Sequence, residues 1–237
     1  AQAYWMSTAQ VQALTTAQFA ALRTGQVAAL RTSQVAAIQT DDLVALDTAQ
    51  LRALNSDQVV SLITDQVSAL TTLQAAGLVT ATAYALSTAQ VLALNTANVV
   101  VLSTSSLRAL ATDRIKVLST SQVAVLTTSQ AASLSNAHLN TLGTAQVLAL
   151  RTDDIAALGT ASVQALWTSQ VQGLSSDQVQ ALQTAQVWSF TTAQIYALES
   201  DQVFALTTRQ AAAINTADLN ALKLSQLVAL GTGNVAA

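Results

Sequence analysis

Apolar side chains recur along this chain on a fixed beat of eight residues. The octad is clearest at Thr144-Ala145-Gln146-Val147-Leu148-Ala149-Leu150-Arg151. The fourth place is always apolar, as in Val147, Leu43, Ile155 and Phe19. The seventh is Leu apart from Ile38, Phe190 and Ile214. Residues three apart share a helix face, so the pair predicts a short amphipathic helix in each octad. The sixth place is small, as in Ala149, Gly77 and Ser133, with Val101, Val117 and Val125 as exceptions. A column of small residues predicts that another backbone passes close by. The variable fifth and eighth places read as outer surface.

The polar columns supply the punctuation. Positions divisible by eight run from Thr8 to Thr232, 29 in all. Thr fills 24 of them, Ser three (Ser56, Ser176, Ser200), and Asn136 and Leu224 one each. Thr, Ser and Asn accept hydrogen bonds from the orphan amides of a helix start, so this column predicts an N-cap. Ten of the twelve acidic residues fall within two residues after it, where a helix N-terminus favours negative charge. Arg23, Arg31, Arg151 and Lys223 stand at the eighth place, the expected negative end of the same dipole.

A single long helix is excluded. Eight residues overshoot two turns by about 80° at 3.6 residues per turn, so the apolar stripe would wind around the rod. The helix must break every octad. A piece of roughly six residues is too short to hold alone in water, so neighbours must stabilise it. The expected fold is therefore all-α: a superhelical α-solenoid of about 29 eight-residue repeats, each a short N-capped helix. A β-solenoid is the alternative, since Thr and Val favour strands. Against it stand the Ala and Leu content, the lack of clean alternation, and seven Gly with no Pro for turns.

The unbroken register leaves no domain boundary. Residues 1–7 are expected to form an N-terminal aromatic cap or interface segment, and 8–237 one uninterrupted array. Fragments of two or three octads should be unfolded, because repeats are stable only against their neighbours. Leu224, with Ser225 one residue late, predicts distortion or capping in the last two octads. The chain opens at Ala1 and closes inside an octad at Ala237, as expected of a processed chain or of a segment cut from a longer array.

Composition then narrows the function. Charged residues make up 9% of the chain and the net charge is −3, so no basic stripe is available for nucleic acid. Arg108, Arg114 and Lys116 form the sole cationic cluster, which reads as a solvated patch. Thr and Gln interrupt every apolar run, so no transmembrane segment is expected. The absence of Cys fits an oxidising exterior but does not demand it. A surface of Thr, Ser and Gln suits the extracellular side or surface of a bacterial cell.

Catalytic chemistry is hard to assemble from this inventory. His138 is the single histidine and replaces a third-place Gln, so it reads as a hydrogen-bonding group near a helix start. One His and no Cys exclude the usual zinc sites. The pairs Asp41-Asp42 and Asp153-Asp154 are helix-start substitutions, and no phosphate loop or nucleophile elbow occurs. No enzyme activity and no cofactor are expected. Gln fills 19 of 29 third places, and so long a polar residue held at one place predicts a hydrogen bond to the chain of the adjacent coil.

The outward fifth place carries Tyr84, Leu92 and Val100 in three successive octads, and Trp188, Tyr196 and Phe204 in three more. These last three, with Tyr4, Trp5 and Met6 at the start, are the expected self-assembly interface. The opposite end, Val235-Ala236-Ala237, is also apolar.

Runs such as Leu14 to Leu22, Leu-Thr-Thr-Ala-Gln-Phe-Ala-Ala-Leu, resemble the short octad-repeat stretches of large bacterial secreted and surface proteins. The resemblance spans the chain and implies a spacer or fibre-like role without an active residue. DNA-binding repeats of plant pathogens share Leu-Thr-x-x-Gln-Val, but their units are longer and basic. The expected function is thus an extracellular filament subunit or adhesin stalk whose partner is itself. The alternative is a binding module that offers its Thr or Gln columns to glycan, ice or another extended ligand.

Overall fold

A computed structural model describes the backbone of residues 2–234 and the side chains of 3–231. The apolar tail Val235-Ala236-Ala237 lies outside the described residues. Among the described residues every regular element is helical, and a helix begins at each first place from Thr8 to Leu224. Most helices have four to six residues, such as Ser56–Ser61 and Thr144–Ala149. The chain is an α-solenoid rather than a β one.

Each break takes two extended residues. Leu62, at a seventh place, has φ −59° and ψ 132°, and Ile63 after it has φ −78° and ψ 161°. No described residue has positive φ. Neither Gly nor Pro is needed, which is why the array has so few turn residues.

The chain forms two compact units, residues 1–125 and 126–237. In the first, helix Ser56–Ser61 packs on Thr32–Ala36 and on Thr80–Ala85, three octads back and three on. In the second, Thr192–Ala197 packs in the same way on Thr168–Gln172 and Thr216–Ala221. Inter-coil hydrogen bonds reach back 28 residues, three and a half octads. Each helix thus packs on the helix three octads back, while its third-place side chain bonds the end of the helix four octads back.

Fourth and seventh places fill the core of each unit, as with Val59, Leu62, Val91 and Leu94, all under 5% exposed. The small sixth column has the expected cause. A Cβ on Gly77 would lie 2.8 Å from Thr48 Cγ2, and one on Gly173 3.2 Å from Thr144 Cβ. The first residue of a helix one coil earlier occupies that space.

The caps differ from expectation. The eighth residue, not the Thr, is the N-cap, and Thr is the first helical residue. Ser119 shows this: its hydroxyl accepts from the Gln122 amide at 3.1 Å, while Thr120 is exposed. Asp47 and Glu199, the two acids outside the second and third places, occupy N-cap positions. Leu224 therefore replaces no cap, since Lys223 precedes it and donates its amide to Gln226 Oε1 at 2.7 Å. The expected distortion near the end takes another form: Leu224–Asn234 runs for 11 residues without the usual break.

Candidate functional site

Every octad begins with the same problem at both ends of its helix. The first amides lack partners, and so do the last carbonyls of the helix one coil earlier. The third-place Gln meets both needs. Gln90 Oε1 accepts from the Ser87 amide at 2.9 Å, and the Ser87 hydroxyl accepts from the Gln90 amide at 3.2 Å, which closes a capping box. Its Nε2 donates to the carbonyls of Val59 and Leu62, both at 2.8 Å. Gln170 repeats this in the second unit, with Leu139 and Leu142 at 2.8 and 2.7 Å.

This geometry explains why the third place is restricted and the eighth is free. Where the eighth residue cannot accept, as at Ile63 or Trp167, its amide still donates to Gln66 or Gln170 Oε1 at 2.8 Å. The Gln half of the box needs no particular cap side chain. Where the column is buried, as at Gln90 and Gln170, it is not offered to a ligand.

Substitutions in the column keep part of the arrangement. Asn98 and Ser106 still donate to Leu70 and Leu78, 28 residues back, at 2.8 and 2.7 Å. Arg114 Nε does the same to Leu86 at 3.0 Å while its Nη1 pairs with Asp113, so one member of the expected cationic patch is committed to the fold. His138 is buried, and its amide donates to the Ser135 hydroxyl at 3.2 Å.

Carboxylates at the third place cannot donate and are compensated. Asp154 is fully buried, and Arg151 binds it through Nε and Nη2, both at 3.0 Å. The same Nη2 donates to Leu126 O at 2.7 Å, the carbonyl 28 residues before Asp154 that Gln would have taken. The hydrogen bonds to Asp154 first, and the Asp154 charge second, raise the Arg151 pKa above its ordinary value. Asp42 and Asp218 instead accept from first-place hydroxyls, Thr16 at 2.8 Å and Thr192 at 2.7 Å.

Eighth-place cations also work differently from expectation. They stand at helix starts, not ends. Arg31 and Arg151 reach the last carbonyls of the previous coil, at Met6 O and Leu126 O, so the favourable helix end belongs to a neighbour.

The aromatic residues are exposed but dispersed. Trp188, Tyr196 and Phe204 sit on consecutive octads, which face different sides of a coil that closes in three and a half. The one ring pair among the described residues is Tyr4 with Trp5, edge to face at 5.2 Å, and Arg31 lies 5.5 Å from the Tyr4 ring centre. Met6 falls at a seventh place, where its carbonyl accepts from Gln34 at 2.6 Å.

Two arrangements were missed in the sequence. One is the eighth-place cap, whose signal was the frequent Ser, Thr, Asn and Asp there. The other is Lys223, whose Nζ lies 4.5 Å from the Tyr196 ring centre. Eighth and fifth places 27 residues apart meet in the same way where Gln39 donates to Gln12 O at 2.7 Å and Trp167 Nε1 to Asn140 O at 3.1 Å.

Among the described residues no cluster of His, Cys, Asp or Glu could hold a metal, and no helix is long and apolar enough to cross a membrane. No curated protein matches the chain. The model of the ALTTAQ repeat matches residues 5–32, 35–72, 99–136, 147–184 and 179–208, more than half of the sequence. These segments carry the capping box, the inter-coil Gln bonds and the buried fourth and seventh places, and the chain belongs to the ALTTAQ repeat family.

Proposed function

We propose that the chain is a non-catalytic structural repeat protein, an extracellular spacer that serves as an adhesin stalk or assembles end to end into a filament. The observation that carries this reading is the repetition of one structural octad along the described residues, with buried third-place Gln side chains tying each coil to the one before. Gln10, Gln18 and Gln26 complete their boxes through Oε1, at 2.7, 2.9 and 2.8 Å. Among the described residues, however, their Nε2 groups donate to no carbonyl. Leu14 and Leu22 are half-buried, and with Ala3 and Met6 they line a hollow of about 210 Å³. A coil of the same octads from a second copy would fit this face and extend the stack. The exposed Tyr4 and Trp5 beside Met6, and the exposed Trp188, Tyr196 and Phe204, are the candidate contacts between copies. The uncharged Thr, Ser and Gln surface supports the extracellular placement.

The test is electron microscopy and light scattering of the chain beside a Gln10→Glu, Gln18→Glu, Gln26→Glu variant. Each Glu keeps the cap acceptor and removes the donor. End-to-end assembly by the parent and dispersed particles with unchanged helicity for the variant are expected. Dispersed parent particles at micromolar concentration, or assembly indifferent to the variant, would overturn the end-to-end reading.

The exposed Thr column supports a second reading, a repetitive surface for glycan or ice. Loss of binding with unchanged stability on Thr120→Val, Thr128→Val and Thr144→Val would favour it.

A further inference from the structure

The outer face of the second unit carries a groove that the repeat itself does not require. Helices Thr168–Gln172, Thr192–Ala197 and Thr216–Ala221 stack one above another, and the hollow between them has a volume of about 590 Å³. That lies within the range of small-molecule sites. Ala193, Ala197 and Ala221 give it an apolar floor. Tyr196 forms a wall and is 53% exposed.

The rim is polar. Thr168 and Gln172 line one side and Lys223 the other. The Lys223 ammonium lies 4.5 Å from the Tyr196 ring centre, which holds the ring in place and leaves N–H donors toward the groove. Gln172 Nε2 donates to Glu199 Oε1, which orients the amide. The Thr192 hydroxyl donates to Asp218 Oδ1 at 2.7 Å, so toward a ligand its oxygen can only accept.

An apolar floor, an aromatic wall and a rim of hydroxyl and amide groups with the single ammonium of Lys223 suit one kind of ligand. It has an apolar C–H face, hydroxyls around its edge and no charge. We propose that this groove binds a short neutral oligosaccharide, with one sugar ring packed against Tyr196 and its hydroxyls bonded to Gln172, Thr168 and Lys223. A smaller hollow in the first unit, lined by Thr80, Ser105, Arg108 and Ala109, has Arg108 at the fifth place and no aromatic wall, so the repeat alone does not create the site.

The test uses the whole chain. Cellotetraose, chitotetraose, maltotetraose and mannotetraose are titrated by calorimetry and by saturation-transfer NMR, with phenol as an uncharged aromatic probe. At least one tetrasaccharide is expected to bind with a millimolar or tighter Kd. Tyr196→Ala should weaken it by about tenfold or more, with an unchanged melting curve because the side chain points outward. Tyr84→Ala, the fifth-place Tyr of the first unit, should leave it unchanged. Binding of phenol without any saccharide, no saccharide binding at 10 mM (roughly −2.7 kcal/mol), or equal affinity of Tyr196→Ala and parent would each overturn the proposal. Loss of end-to-end assembly in the first-coil Glu variant has no bearing on this readout, so the two ideas fail separately.

Discussion

The first coil and the coils above it are built from the same octad, yet they differ in what the octad accomplishes. Around Gln18 and around Gln90 the capping box is the same to within a few tenths of an ångström. Gln18 is exposed and donates to no carbonyl among the described residues, whereas Gln90 is buried and bonded to three carbonyls of the coil before it, two of them buried. Starting a helix is thus a local property of one octad. Burying it, and satisfying the helix end beneath, is a property of two coils 28 residues apart.

That difference predicts unequal costs for equal substitutions. Gln90→Leu removes the cap acceptor and the donor to two buried carbonyls and should destabilise the chain by about 3 kcal/mol. Gln18→Leu removes only a solvated cap bond and should cost under about 1 kcal/mol. Guanidinium melts of the two variants compare them directly, and equal costs would show that the inter-coil bonds contribute nothing beyond the box.

The Asp154 octad sharpens the comparison, because there an ion pair replaces the amide. Arg151→Ala strands a buried carboxylate and the Leu126 carbonyl. Since Arg151 is itself 52% exposed, a cost of about 2 kcal/mol is expected. Adding Asp154→Gln restores the usual column and should recover most of that loss in the same melts. A double variant no more stable than Arg151→Ala would mean that the arginine does not stand in for the missing amide.

Smaller effects separate the cap from its neighbour. Ser119→Ala should cost about 1 kcal/mol as the loss of a true N-cap. Thr120→Val, one residue later and exposed, should stay within about 0.5 kcal/mol. Thermal unfolding followed by circular dichroism distinguishes the two, and a reversed order would return the capping role to the Thr column.

The Thr–Ser pair shows where sequence reasoning succeeds and where it slips. Helix type, the buried fourth and seventh places and the close approach at the sixth follow from one octad, since each is a matter of side-chain size and spacing. The inter-coil role of Gln follows from its persistence beside variable neighbours. The cap was placed one residue late because Thr can both cap a helix and open one, and because the Gln half of the box lets Arg23, Ile63 and Trp167 stand where a capping residue is expected. The 28-residue return was not legible. Columns repeat every eight residues, and nothing in a column states how many octads complete a coil. The Tyr196 groove was hidden for the same reason, because Gln172, Tyr196 and Lys223 come together only through that return.

A return of three and a half octads has a consequence for how such a chain can change length. Each helix packs on the helix three octads back and bonds through its third place to the end of the helix four octads back, so it engages two neighbours and meets the same columns whichever two they are. Gain or loss of one octad therefore re-pairs only the helices whose contacts span it, and with equivalent partners, so the array can be edited in steps of eight residues instead of whole coils. Only individual pairings are tied to a fixed separation. Arg151 with Leu126 and Thr192 with Asp218 would survive an octad lost elsewhere, but not one lost between them. Natural variation in length should accordingly spare the intervals that such pairs enclose.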